Sequence, residues 1–249
     1  QGDFEKSLNA VIEAFKKIKP SDTMSDQDKI DYGKAADYAS EAKFIQVEKK
    51  LPEFEKYKLN VDASAEKLSA VLTKDLPGMR SDLETQYAEV LGFASPEWIV
   101  AAQFRIGYLW EIHSKILLNA PIPKAIAKLP ADIRADAEQQ YMDKINSLVF
   151  PIEDGAKAQY AKALELSKGA GVMNTWTEQT LERLNAYDPD NYPLYKKGKG
   201  GTRELQHSLP GLDMLRVPCR TPLTDLRASA SRLTSSAFPL AAMISRQLW

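Results

Sequence analysis

The sequence predicts an all-α protein in which antiparallel helical hairpins lie stacked side by side. Three observations carry that prediction. Apolar residues recur three and four positions apart through most of the chain before Lys199, the period of a helix with one buried stripe. Strand signals are scarce, with no Asn-Gly hairpin turn and no sustained alternation of apolar and polar residues. The run Ser95-Pro96-Glu97-Trp98-Ile99-Val100-Ala101-Ala102-Gln103-Phe104-Arg105-Ile106-Gly107 is apolar on more than one side of a helix, so neighbours must cover it on both flanks.

Residues 3–19 form the first predicted helix, with Phe4, Leu8, Val11, Ile12, Phe15 and Ile18 as its buried stripe and Pro20-Ser21 as its stop. Asp26 is the expected N-cap of a long helix reaching Lys50. Along it Ala35, Ala36, Ala39 and Ala42 let a neighbour approach closely. Pro52 is expected to break that helix, and a turn through Phe54 and Tyr57 leads to Leu59. Another helix covers 63–74, is interrupted at Pro77-Gly78 and resumes from Met79 to Leu91, with Leu68, Val71, Leu72, Leu83, Tyr87 and Val90 as its apolar set. Ser95 is expected to cap the central helix, with Pro96 at the first position, where its missing N–H has no intrahelical partner to lose. Asn119 and the Pro121/Pro123 pair stop it. Residues 131–150 and 152–168 read as one arm kinked at Pro151, ended by Gly169 and Gly171. Asn174 caps a last short helix containing Trp176, Leu181 and Leu184.

The chain has 249 residues, of which 44% are apolar, enough for a sizeable core in one large or two small domains. Its 33 basic and 34 acidic residues leave a net charge of −1, so no basic excess draws a nucleic-acid backbone to the surface. No long uncharged apolar run is present to span a membrane. The single cysteine, Cys219, leaves no internal disulfide and no cysteine-based metal site. The chain begins with Gln1 inside a helical motif and reads as a fragment whose true N-terminus, with any signal peptide or lipid-attachment cysteine, lies upstream.

Composition breaks near residue 200. Beyond Lys199 there is no lysine and beyond Glu204 no glutamate, while Arg203, Arg216, Arg220, Arg227, Arg232 and Arg246 carry the positive charge. Three parts follow: a helical domain over 1–196, a Gly-rich linker over 197–204 around Gly198, Gly200 and Gly201, and a tail over 205–249. The tail is either a linker-borne short helix, Leu223 to Leu233, or a non-native, out-of-frame or disordered end; the abrupt change in residue usage favours the second.

Some residues fit a specific repeat. Gly2 as a turn residue, Phe4 and Val11 as bulky positions, and Ser7 and Ala14 as small crossing positions suit the second helix of a tetratricopeptide unit, a helical pair of about 34 residues. Ala156, Tyr160, Ala163 and Leu164 repeat that spacing, while Trp98, Ala102, Ile106 and Gly107 suit a first helix. The packing set is then Phe4, Ala35, Ala39, Trp98, Ala102, Ile106, Gly107, Tyr160, Ala163 and Trp176. The expected fold is a tetratricopeptide-like right-handed solenoid with irregular long helices; an irregular helical bundle would show the same periodicities. The ordered pieces are Phe54, Tyr57 and Leu59, Tyr87-x-x-Val90, Trp98-x-x-Ala101-Ala102-x-x-Arg105-Ile106-Gly107, Ala120-Pro121-x-Pro123, Pro151 with Glu153, Tyr160-x-x-Ala163-Leu164 and Asn174-x-Trp176. In that order, over about residues 1–190, the chain resembles tetratricopeptide-repeat proteins of myxobacteria and related deltaproteobacteria, among them envelope lipoproteins of the adventurous gliding-motility machinery. The resemblance implies a periplasmic or outer-membrane-associated scaffold without catalytic residues. The segment beyond Lys199 matches nothing in that family.

Chemistry has few carriers. Glu111 stands two residues before His113 and points to another side of a helix, so His113 reads as a packed helix residue rather than a base. No HExxH motif, no Cys/His spacing and no Walker-type ending after Gly198-x-Gly200-Gly201 is present, so no metal or cofactor is expected. Asp188-Pro189-Asp190-Asn191 lacks the glycine and distal Glu of a calcium loop and reads as a turn. Phe104, Tyr108 and Trp110 are the candidate lining of a groove for a peptide, since repeat stacks present concave surfaces. The expected function is a non-enzymatic protein–protein interaction scaffold in a bacterial cell-envelope complex, with other proteins or peptides as partners. The alternatives are a helical domain of an unrecognised hydrolase using His113, or a structural spacer in a longer polypeptide.

Overall fold

Helix signals in the sequence become nine α-helices among the residues that the computed structural model describes, which are 2–21, 23–60, 65–194, 196–197 and 203–204. Among these residues the fold is all-α apart from one two-residue ladder. The first helix, α1 (Gly2–Lys16), has Asp3 and Glu5 in its first turn and Lys16 in its last, complementing the helix dipole. It buries Leu8, Ile12 and Phe15, but Phe4, Val11 and Ile18 from the expected stripe are 52%, 39% and 40% exposed. Phe4, the bulky packing position that the repeat spacing predicts, therefore stands outside the core, with the Lys49 ammonium 4.5 Å above its ring. The reason is local: α2 (Asp26–Glu48) packs on only one flank of α1.

Ser25, not Asp26, caps α2. Its hydroxyl accepts the Asp28 N–H and the Asp28 carboxylate accepts the Ser25 N–H, an exchange open only to the residue three positions before the acid. Pro52 sits in the first turn of a short α3 (Leu51–Glu55), where a missing N–H is tolerated. The break expected at Pro77-Gly78 is absent. α4 (Ala65–Ala70) runs through a π-helical turn, Val71–Asp75, into α5 (Leu76–Leu91). The wider turn lets the Leu76 N–H reach the Val71 carbonyl just before Pro77, which has no N–H to give.

α6 (Pro96–Leu118) starts after extended Ser95, whose hydroxyl donates to Asp37 Oδ1 at 2.5 Å instead of capping its own helix. Asn119 ends it, its amide donating to the Lys115 carbonyl at 2.8 Å. A one-turn α7 (Lys124–Ala127) follows in the proline-rich stretch that the sequence marked only as a stop. α8 (Ala131–Ala170) is one 40-residue helix with Pro151 inside it. Gly169 lies within α8, and Gly171 closes it at φ 65°, a conformation that favours a residue without Cβ. Asn174 caps α9 (Thr175–Tyr187), its side-chain oxygen accepting the Thr177 N–H at 3.1 Å. In the segment expected as linker, β1 (Lys196–Lys197) pairs antiparallel with β2 (Arg203–Glu204). Residues 198–202 between them and the tail 205–249 lie outside the described residues.

α1 packs on α2, α2 on α5 and α6, α5 on α6, α6 on α8, and α8 on α9, which also returns to α6. The central helix is thus covered on both flanks, as its two-sided pattern requires. α6 and α8 approach so closely that a Cβ on Gly107 would sit 2.8 Å from the Tyr160 ring, and one on Gly155 2.3 Å from the Trp110 ring. Each helix offers a glycine to the other's aromatic, a pair of large-into-small fits. Among the described residues no helix is long and apolar enough to cross a membrane.

Candidate functional site

The site grows from one face of α6. Tyr108, Ile112, Lys115, Ile116 and Asn119 recur at helical spacing and so share a side. Opposite them stand Glu55, Tyr57, Lys58 and Leu59, at the end of α3 and just beyond it, and Pro121 closes one end. Together they enclose a cleft of about 570 Å³. Leu59, Ile112 and Ile116 form a buried apolar floor, while Glu55, Lys58 and Asn119 stand exposed around it. The Tyr108 hydroxyl donates to Glu55 Oε1 at 3.0 Å. Partial burial, then the Glu55 carboxylate, hold the Tyr108 phenol above its usual range, so it stays a neutral donor. Lys58 forms no ion pair among the described residues.

Behind the cleft, buried polar groups lock α6 to its neighbours. Glu111 accepts from Tyr160 at 2.7 Å, Lys115 at 2.6 Å and Arg183 at 3.0 Å, which joins α6, α8 and α9 through one carboxylate. Burial, with Glu111 beside it, pushes the Tyr160 phenol far up and the Tyr187 phenol up to about 12. Glu48 on α2 accepts from Arg105 at 2.7 Å and from Tyr87 at 2.5 Å, tying α2 and α5 to α6. These carboxylates bridge three helices each, although Arg105 Nε stays buried without a hydrogen-bond partner, so the pairing offsets only part of the desolvation cost.

A third cluster lies on the remaining side. Arg80 stacks on Trp110 at 3.6 Å, pairs with Glu84 at 3.1 Å and lies 3.1 Å from His113 Nδ1. His113 is 2% exposed, and burial together with the Arg80 cation lowers it to about 3. It is a neutral acceptor for Arg80 and does not line the cleft.

Of the three residues expected to line a groove, only Tyr108 does. Phe104 is 2% exposed, in a core cluster with Ala156, Tyr160, Leu164, Leu181 and Leu184. Trp110 is held between Arg80 and Gly155. Ala39, Ala102, Ile106, Tyr160 and Ala163 are buried; Ala35, Trp98 and Trp176 are partly buried against core clusters, and Gly107 meets Tyr160. Sequence reasoning missed Ile112, Lys115 and Ile116, whose spacing from Tyr108 was the available signal, and Glu55, which carries none. It also missed Arg80 and Gly155. Among the described residues no group of three or more His, Cys, Asp or Glu is placed to hold a metal ion. No protein-family model, no curated protein and no solved structure matches the chain.

Proposed function

We propose that the chain is a non-enzymatic scaffold of tetratricopeptide type that docks other proteins through the cleft between α3 and the C-terminal half of α6. The observation that carries this reading is a pre-formed, mostly apolar cleft on the exposed side of a helix whose other sides are sheathed by packed hairpins. α6 and α8, which the motif spacing reads as the first and second helices of one unit, pack on each other with Gly107 against Tyr160, and α1, read as a second helix, packs on the helix that follows it, α2. Both features support a helical repeat stack, with α8 as its irregular long member. His113, on which a hydrolase reading rests, is buried beside Arg80 and away from the cleft. Placement in a bacterial envelope complex, periplasmic or at the outer membrane, rests on the ordered motif resemblance alone.

The test displays a peptide library to the full chain and to Tyr108→Ala and Lys58→Glu variants. Peptides retained by the parent and lost by both variants support the reading. Binding that ignores the cleft residues, or no binding at all, sinks it.

A further inference from the structure

One apolar flank of α1 meets no packed helix among the described residues; only the Lys49 ammonium reaches it, over the Phe4 ring. Phe4, Val11 and Ile18 stand seven residues apart and form a single row along α1 and the turn after it, with exposed Ser7 and Ala14 between them. The adjoining row holds exposed Asp3, Ala10 and Lys17, also seven apart. Both rows are self-complementary about nearly one point. Val11 is midway between Phe4 and Ile18, and Ala10 midway between Asp3 and Lys17. A second α1 laid antiparallel therefore sets Val11 against its own image and Phe4 against Ile18 of the second copy. The same placement brings Asp3 to within two residues' rise, about 3 Å along the axis, of Lys17 of the second copy, twice. Parallel pairing would instead oppose Asp3 to Asp3 and Lys17 to Lys17. Ser7, Ala10 and Ala14 are small enough for the axes to approach closely, and opposed helix dipoles favour the antiparallel sense.

We propose that α1 is a self-association surface, on which two copies of this chain pair antiparallel about a two-fold axis near Val11. An isologous contact of this kind makes every residue act twice. The row is short beside a standard interface of about 800 Å² per partner, so the dimer is weak and concentration-dependent. Nothing in this inference depends on the cleft, and peptide binding there and pairing here fail independently.

Sedimentation equilibrium of the full chain over a wide concentration range reads the proposal. The parent shows a reversible monomer–dimer equilibrium. Val11→Glu places two carboxylates face to face at the axis and raises the dimer Kd at least about tenfold. Because Val11 is surface-exposed, circular dichroism of that variant matches the parent. Asp3→Lys and Lys17→Asp each weaken the dimer, and the double swap restores it. With Cys219 changed to Ser, Val11→Cys gives a disulfide-linked dimer on oxidation and Tyr38→Cys does not. A monomer at every concentration, a dimer indifferent to Val11→Glu, or a double swap that does not restore pairing overturns the proposal.

Discussion

α6 and α1 share an apolar periodicity but differ in what surrounds them. Helices α2, α5, α8 and α9 all touch α6, so it buries side chains around its circumference, Ala101, Phe104, Leu109, Glu111 and His113 among them. α1 meets α2 and buries only Leu8, Ile12 and Phe15, leaving a row of apolar residues in water. The contrast shows that a helical stripe reports capacity to pack, while the number of neighbours decides how much of that capacity is used. It also explains where charge goes. In α6 a carboxylate such as Glu111 is buried among several partners; in α1 the pairs are exposed, within the helix as Lys6 with Asp3 or out to the end of α2 as Glu5 with Lys49.

Truncation gives the largest expected difference between the two regions. Leu109→Ala removes a fully buried side chain and costs about 2–5 kcal/mol, whereas Val11→Ala stays within about 0.5 kcal/mol. Urea unfolding of both variants measures this, and equal losses would erase the distinction. Added methyl groups should change sign between the regions. Gly155→Ala drives a Cβ into the Trp110 ring and destabilises by about 1–3 kcal/mol, less the helix propensity it gains. Gly33→Ala in α2 meets nothing within 4 Å and stabilises by up to about 1 kcal/mol. A stabilised Gly155→Ala would mean that α6 and α8 pack more loosely than the structure shows.

The buried histidine sharpens the comparison through pH. Its folded value of about 3 lies below its ordinary value near 6.5, so between the two the unfolded chain holds a proton that the folded chain does not. Stability contributed by neutral His113 is full above the unfolded value. It falls by about 1.4 kcal/mol per pH unit as pH drops from there toward the folded value. His113→Gln should lack that slope in denaturant titrations across the acid range, and an unchanged slope would assign it to other groups. The smallest effect belongs to the first hairpin: Glu5→Gln removes a partly exposed ion pair with Lys49 and shifts stability by no more than about 0.5 kcal/mol.

Much of this architecture was readable in the chain. Pro96, Gly171 and Asn174 act within a turn of themselves, so the start of α6, the end of α8 and the cap of α9 follow from local chemistry. Other local readings failed where two local solutions competed. Ser25 outdid Asp26 because Asp28 could reciprocate, and the backbone met Pro77 by widening upstream instead of stopping. The candidate site was less legible. Tyr108 carries an aromatic signal, but Glu55 and Lys58 come from a segment distant in sequence, and nothing in their spelling pairs them with α6. Trp110 and Phe104 carry the same aromatic signal as Tyr108 and are spent inside the core.

By itself, the sequence determined the all-α class, the start of α6, the end of α8, the cap of α9 and the two-sided character of α6, because these depend on periodicity and on bonds made within four residues. Tertiary structure alone decided which flank of α1 stays bare, that Gly155 receives Trp110, and that Glu111 rather than His113 becomes the polar hub. Those outcomes depend on which helices arrive at a given face and how near they come. A one-dimensional pattern does not encode the distance between residues drawn together from far along the chain.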